Sequence, residues 1–206
     1  MRAMAGAYIA FEGTEGSGKS THATRLAEAI GAVMTRETGG TPVGERLRAI
    51  LHDTTVDDLD DRAEALIVAA DRAQHFARVV HPALDAGRDV VSDRSAFSSL
   101  AYQGYGRGVD LDELRGINDW ATGGRWPDVV VFLDVGVDVM TARIAKRELD
   151  RFERAGHDFH TRVVDGFRAM AAADPDRWIV VRPDGPKDDV AEQVRSVVSA
   201  RLGRTA

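Results

Sequence analysis

The segment from Gly13 to Ser20 reads G-T-E-G-S-G-K-S and matches the phosphate-binding pattern G-x-x-x-x-G-K-[ST] in full. Its glycines allow the backbone to curl so that successive N–H groups point at phosphate oxygens, and a following helix adds partial positive charge there. Lys19 is expected to reach the β and γ phosphates, and the Ser20 hydroxyl is expected to ligate Mg²⁺. A chance match in a glycine-rich turn is the alternative, but an apolar strand-like run precedes the segment and a helical pattern follows it. The predicted triphosphate site consists of Gly13, Thr14, Glu15, Gly16, Ser17, Gly18, Lys19, Ser20 and Thr21.

A second polar pair, Asp93 and Arg94, directly follows another apolar run. Open α/β sheets bind ligands beyond the carboxyl ends of their strands, so this pair is predicted to lie near the phosphate site. Asp93 is expected to hold the hydration shell of Mg²⁺ or to orient an acceptor. Arg94 is expected to clamp an acceptor phosphate with its planar guanidinium. A surface ion pair, which contributes little, is the alternative.

Short apolar runs alternate with amphipathic stretches along the chain. The predicted strands are 8–11, a weaker one at 32–34, 89–92, 129–133 and 178–181, and the predicted helices are 20–30, 44–51, 63–84, 111–121, 137–147, 160–172 and 188–202. This alternation predicts a three-layer α/β P-loop NTPase fold with a central parallel sheet of about five strands. The length fits a single domain, 1–206. The charged segment at about 147–158 is expected to be either a solvated loop or a mobile lid.

Composition restricts the partners. The formal net charge is −6, which argues against binding along a nucleic-acid backbone. No apolar run approaches the roughly 20 residues that span a bilayer. The sequence contains no cysteine and its first residues lack the apolar region of a signal peptide, so we expect a cytoplasmic protein with no membrane partner.

Seven pieces of the sequence occur in the order found in the bacterial thymidylate kinases, which the chain resembles from Ile9 to about Val190. They are F-E-G (11–13), T-R-E-T-G-G-T-P-V-G-E (35–45), A-A-D-R-A-Q-H (69–75), D-R (93–94), S-S-L-A-Y-Q-G (98–104), P-D (127–128) and D-R-F-E (150–153). Members of that family transfer phosphate from ATP to dTMP and are commonly homodimers. The resemblance therefore implies a homodimer that uses Mg²⁺, ATP and a pyrimidine deoxynucleoside monophosphate.

The resemblance also implies residues that contact the base of the acceptor. Arg72 matches the arginine that hydrogen-bonds the thymine O4, and Ser99 matches a small hydroxyl residue at the pyrimidine edge. Val68 stands where the family has a phenylalanine that stacks on the base. This departure concerns the identity of the acceptor directly.

Further matches concern the sugar and phosphate. Tyr102 and Gln103 match residues around the deoxyribose, where a tyrosine ring crowds a 2′-hydroxyl. Glu15 matches an acid that accepts from the 3′-hydroxyl, and Arg48 matches a second phosphate-binding arginine. The predicted acceptor site is Glu15, Arg48, Val68, Arg72, Arg94, Ser99, Tyr102 and Gln103.

Catalysis of phosphoryl transfer requires positive charge around the transferring group. The variable P-loop positions carry no arginine, and family members of this type place basic residues in the lid. Arg151 is therefore expected to contact the transferring phosphate, so that Lys19, Asp93 and Arg151 form the predicted catalytic set. Arg143 is expected to lie over the adenine ring. The alternative is that these arginines pair with neighbouring acids on a charged surface.

Two further departures from the family are Thr38, where a proline is usual, and Ser95, where a tyrosine or histidine is usual. With Val68, they leave open a kinase of the same mechanism that acts on a different or modified pyrimidine monophosphate. A slowly hydrolysing nucleotide switch is a third possibility. It does not account for Arg48, Arg72 and Arg94, and the N-K-x-D motif by which GTPases recognise their base does not occur.

Overall fold

The computed structural model describes residues 6–145 and 148–203. Within them, parallel strands form one sheet in the order β2-β3-β1-β4-β5. The strands are β1 Tyr8–Glu12, β2 Val33–Arg36, β3 Val90–Asp93, β4 Val129–Leu133 and β5 Trp178–Val181. The predicted five-stranded parallel sheet is confirmed, including the weaker strand after residue 32.

The helices of the described residues are α1 Lys19–Ile30, α2 Pro42–His52, α3 Asp61–His75, α4 His81–Asp85, α5 Ala96–Ser99, α6 Leu111–Thr122, α7 Val137–Ile144, α8 His157–Ala173 and α9 Lys187–Arg201. The predicted helix 63–84 is divided, because a π-helical turn, Phe76–Val80, joins α3 to α4. A second π-helical stretch, Leu100–Gly106, continues α5, and neither was predicted. The predicted helix 137–147 ends at Ile144, and Lys146 and Arg147 lie outside the described residues.

The sheet is covered on both faces, which confirms the three layers. On one face, β1 and β4 residues such as Phe11 and Val131 pack with buried residues of α1 and α9. On the other face, Phe132 and Trp178 pack with α3, α5 and α8. None of the helices in the described part of the chain is long and apolar enough to cross a membrane.

The carboxyl ends of the strands position the site. Phe11 of β1 is in register with Asp93 of β3, so the segments that leave these neighbouring strands start side by side. β1 lies between β3 and β4, and the crevice beyond such a central strand is where open α/β sheets bind ligands.

Candidate active site

The P-loop begins where β1 ends. Gly13, Gly16 and Gly18 have φ values of 140°, 69° and 95°, a region that side chains other than glycine rarely adopt. A Cβ atom at Gly13 would lie 2.7 Å from the Leu133 carbonyl oxygen, so the loop also requires glycine for its close approach to the end of β4.

Lys19 closes over this loop. Its Nζ donates to the Thr14 carbonyl oxygen at 2.6 Å and to Ser17 Oγ at 3.4 Å. Burial lowers the pKa of Lys19 to about 8, and the nearby Arg94 charge acts in the same direction. A bound triphosphate would favour the charged ammonium.

Ser20 and Asp93 come together beside the P-loop. Ser20 Oγ donates to Asp93 Oδ2 at 2.5 Å, while Asp93 Oδ1 is buried and has no hydrogen-bond partner among the described residues. Mg²⁺ prefers oxygen ligands and keeps several waters and phosphate oxygens, so this pair fits the predicted Mg²⁺ site. In the described part of the chain, no group of three or more His, Cys, Asp or Glu side chains could hold a metal ion. An ion held by Ser20 and Asp93 would therefore need phosphate oxygens and waters as its other ligands.

Every residue predicted to hold the acceptor lines one cavity next to the P-loop. The other lining residues were not assigned to the acceptor site from the sequence, although most of them lie in the quoted pieces; they are Glu37, Thr38, Leu51, His52, Ser98, Asp150, Phe152 and Glu153. The structure brings the eight predicted side chains together, and the role of each remains a prediction.

Arg94 and Glu15 connect the cavity to the P-loop. Arg94 has a φ of 75°, and its Nη2 lies 2.6 Å from Glu15 Oε1. Tyr102 Oη donates to both Glu15 oxygens, at 2.8 and 3.0 Å. Burial alone would raise the pKa of Glu15, but Arg94, Lys19 and the Tyr102 hydroxyl outweigh it and lower the pKa. Glu15 therefore remains ionised and holds two acceptor-site side chains.

Arg48 also lines the cavity. It extends from α2 and donates from Nη1 to the carbonyl and hydroxyl oxygens of Thr38, both at 3.3 Å. Burial and the charges of Arg94 and Arg36 lower its pKa, so at this end of the cavity, whose lining also includes carboxylates, arginine side chains lie close enough to repel one another. Such a site favours an anionic ligand.

Arg72 is held almost completely inside the protein, with 1% of its surface exposed. Its Nε donates to Glu37 Oε2 at 2.8 Å, and its Nη1 donates to Ser99 Oγ at 2.9 Å and to Asn118 Oδ1. Its Nη2 donates to the Ser95 carbonyl oxygen at 3.0 Å. A guanidinium has five N–H donors, so these contacts leave one for a ligand in the cavity.

Sequence reasoning did not assign Glu37 or Asn118 to the site. Glu37 Oε1 lies 3.1 Å from His75 Nδ1, within hydrogen-bonding distance. Glu37 belongs to the quoted segment 35–45, and an acid next to Arg36 was the one sequence feature that could have marked it as a site residue. Asn118 lies on α6, 46 residues from Arg72 along the chain. No sequence pattern indicated that contact.

Ser95 has a structural role that accounts for a hydroxyl at this position. Its Oγ donates to Glu12 Oε1 at 2.7 Å and accepts from the Phe97 N–H at the start of α5. Ser98 Oγ donates to the other oxygen of Glu12 at 2.6 Å. Burial raises the pKa of Glu12 to about 7, although both serines act in the opposite direction.

The predicted lid arginines occupy two different places. Arg143 Nη1 donates to the Gly16 carbonyl oxygen at 2.9 Å, so it lies against the P-loop. Arg151 instead donates to Leu51 O at 3.0 Å and to Glu64 Oε2 at 2.5 Å, beside the acceptor cavity. The expected contact of Arg151 with a transferring phosphate stays a prediction, and in this structure its guanidinium is held by α2 and α3. The alternative was that Arg151 pairs with an acid close to it along the chain, but its carboxylate partner is Glu64 of α3.

Comparison with known proteins agrees with this geometry. The family model described as Thymidylate kinase matches residues 11–194. The thymidylate kinase of Desulfovibrio desulfuricans is 43% identical over 210 residues, covering 96% of this chain and 97% of its own length. That of Solidesulfovibrio magneticus is 45% identical over 208 residues, covering 95% and 100%.

A solved structure is similar as well. The crystal structure of thymidylate kinase from Ehrlichia chaffeensis superposes with a TM-score of 0.78 at 31% identity, covering 94% of this chain and 99% of that one. The P-loop, the acceptor cavity and these matches over nearly the whole length lead to one conclusion: the chain belongs to the thymidylate kinase family.

Proposed function

We propose that this protein transfers the γ-phosphoryl group of Mg·ATP to dTMP and releases dTDP and ADP. The observation that carries the proposal is the single cavity beside the P-loop that is lined by all eight predicted acceptor residues. Glu15 belongs to both the P-loop and the cavity, so donor and acceptor would meet there.

In the proposed reaction, an oxygen of the acceptor phosphate attacks the γ phosphorus and the bond to the ADP oxygen breaks. Phosphoryl transfer depends mainly on alignment and on positive charge around the transferring group. The P-loop amides and Lys19 would hold the donor phosphates, while Arg94 and Arg48 would hold the acceptor phosphate. Mg²⁺, held by Ser20 and Asp93, would neutralise charge on the donor phosphates.

The base would be read at Arg72 and Ser99. The remaining N–H of Arg72 is a donor, so it suits a carbonyl oxygen such as O4 of thymine or uracil. An exocyclic amine at the same position, as in cytosine, would place a donor against a donor. This supports a thymine or uracil base over cytosine.

The segment 148–158 is proposed to act as the lid of a single kinase domain. It lines the acceptor cavity through Asp150, Phe152 and Glu153, and a lid that excludes water would limit hydrolysis of ATP.

A homodimer is also proposed. Leu66 of α3 and Trp120 of α6 are 56% and 85% exposed, and their helices pack against each other, which supports an apolar interface on this side. The mass in solution, measured by light scattering, tests this. A cytoplasmic location is proposed because the chain has no cysteine and therefore lacks the disulfides that are typical of proteins in oxidising compartments.

The proposed function is tested by measuring ADP formation from ATP with dTMP, dUMP, UMP, CMP and dGMP as acceptors. We expect dTMP to give the highest kcat/KM and CMP to be rejected. A higher kcat/KM for a dUMP with a bulkier 5-substituent would instead favour a modified pyrimidine monophosphate as the acceptor. Val68 is smaller than the phenylalanine usual in the family and would leave room for such a substituent.

A further inference from the structure

We infer that Phe152 is a specificity-determining residue whose ring forms the aromatic wall for the acceptor base. This inference rests on the proposed function. Phe152 lies in the lid segment, outside the eight residues predicted to hold the acceptor, and it lines the acceptor cavity with 9% of its surface exposed.

The first observation is the distribution of chemistry around the cavity. Arg48 and Arg94 provide cationic groups for a phosphate, and Arg72 provides a buried donor for a base edge. Leu51 and Val68 are aliphatic parts of the lining. A planar base whose edge meets Arg72 needs apolar surface against its faces.

Few rings line this cavity within the described residues. The Tyr102 hydroxyl is held by Glu15, and the Arg94 guanidinium lies over the Tyr102 ring at 5.0 Å. His52 is paired with Asp150. Among the three rings in the cavity lining, Phe152 is the one that carries no hydrogen-bonding group of its own, and its centroid lies 6.1 Å from that of Tyr102.

The second observation is that Phe152 is fixed in place from both sides. Asp150 Oδ2 lies 2.7 Å from His52 Nδ1 on α2. Arg151 bonds Leu51 and Glu64, and its guanidinium lies 4.9 Å from the Phe152 ring centroid. The ring is thus held against α2 and α3.

Glu64, which holds Arg151, also bonds a residue predicted to lie near the sugar. Glu64 is fully buried and accepts from Gln103 Nε2 at 2.8 Å through its other carboxylate oxygen. One carboxylate therefore fixes both the lid arginine next to Phe152 and a residue of the acceptor site. A ring that is positioned before the ligand arrives loses little entropy on binding.

Val68 has a different expected role if Phe152 provides the ring. Val68 and Phe152 belong to the same cluster of packed side chains and line the same cavity. If Phe152 supplies the ring, then Val68→Phe adds a second ring to an occupied wall and does not improve dTMP binding. In a Phe152→Ala background, the same substitution would return an aromatic surface to the cavity.

The experiment measures KM for dTMP and for ATP in Phe152→Ala, Phe152→Leu, Val68→Phe and the double variant Val68→Phe/Phe152→Ala. Loss of base–ring stacking is expected to raise the dTMP KM of Phe152→Ala by about 5- to 150-fold and to leave the ATP KM within about twofold. Phe152→Leu should fall between this variant and the wild type, and the double variant should recover part of the loss.

Phe97→Leu is the matched control, because Phe97 is also 9% exposed and in the same cluster but does not line the acceptor cavity. It is expected to lower Tm without changing the dTMP KM. An unchanged dTMP KM in folded Phe152→Ala overturns the inference, as does a Val68→Phe enzyme whose dTMP KM improves about fivefold while Phe152 remains.

Failure of the proposed function can be distinguished from failure of the role given to Phe152. A wild-type protein that does not phosphorylate dTMP contradicts the proposed function. The same Phe152 variants, compared by calorimetry with whichever monophosphate of the panel the wild type binds, then test the role of the ring on its own.

Discussion

Replacing Arg94 with alanine removes the guanidinium that lies between the P-loop and the acceptor cavity. In the structure this group bonds Glu15 Oε1 at 2.6 Å and the Gly13 carbonyl oxygen at 3.3 Å, and it lies over the Tyr102 ring. Because alanine, like arginine, is unfavourable at a φ of 75°, the substitution removes the side chain without relieving the backbone as glycine would. The effect can therefore be assigned to the guanidinium.

The expected magnitude follows from the contact that is lost. A hydrogen bond to a charged group contributes about 1.5–3 kcal/mol, which corresponds to a roughly 10- to 150-fold increase in the dTMP KM. ATP is expected to be affected much less, because its phosphates are held by Lys19 and the P-loop amides. Loss of the nearby positive charge should also move the pKa of Lys19 upward from about 8, since Arg94 lowers it.

The assay couples ADP formation to a spectroscopic signal, with dTMP varied at saturating ATP and then ATP varied at saturating dTMP. Arg94→Lys is the control, because it keeps the charge but loses the two-pronged geometry, and it should retain part of the acceptor affinity. An ATP KM that rises as much as the dTMP KM in Arg94→Ala refutes the assignment of Arg94 to the acceptor phosphate.

Further predictions concern other groups of the site. Lys19→Ala should lower kcat by at least about a hundredfold in a folded protein, because the ammonium neutralises charge on the transferring phosphate; near-normal turnover contradicts its role. Since the pKa of Lys19 is lowered to about 8 and bound phosphates favour the charged form, ATP binding at about pH 8.5 should take up a proton, and ATP affinity should fall as the pH rises through this range. Calorimetry in two buffers with different ionisation enthalpies measures this uptake, and identical heats in both argue against it. Arg151→Ala should raise the dTMP KM because it releases the lid from Glu64, whereas equal losses in kcat and kcat/KM with unchanged KM values would support the sequence-based contact with the transferring phosphate. Asn118→Leu should raise the dTMP KM by roughly 10-fold or more and reduce the preference for dTMP over dCMP, because an N–H of Arg72 loses its acceptor; a loss of Tm with unchanged preference would reduce Asn118 to a structural role.

Much of the fold could be predicted because its signals are local. The P-loop pattern lies in eight consecutive residues, and the buried strands are continuous apolar runs, so both are visible without the rest of the chain. The segment Leu100–Gly106 was missed because π-helical turns bond residues five apart and do not follow the 3.6-residue period.

The parts of the site that could not be predicted depend on contacts between distant residues. Arg151 and Glu64 are separated by 87 positions, and both have nearer residues of opposite charge along the chain. The sequence identified Arg151 as an important basic residue, but its partner is determined by how the lid packs on α2 and α3. Phe152 lies in the quoted piece 150–153, but its place in the acceptor cavity likewise depends on how the lid packs.

The central claim is tested most directly by following the γ-phosphate of radiolabelled ATP in the presence of wild-type protein, Mg²⁺ and dTMP. We predict that the label appears in dTDP, that its formation requires dTMP, and that release of free phosphate is slow by comparison. Label that appears as free phosphate at the same rate with or without dTMP would contradict the proposed transfer and would indicate a nucleotide hydrolase.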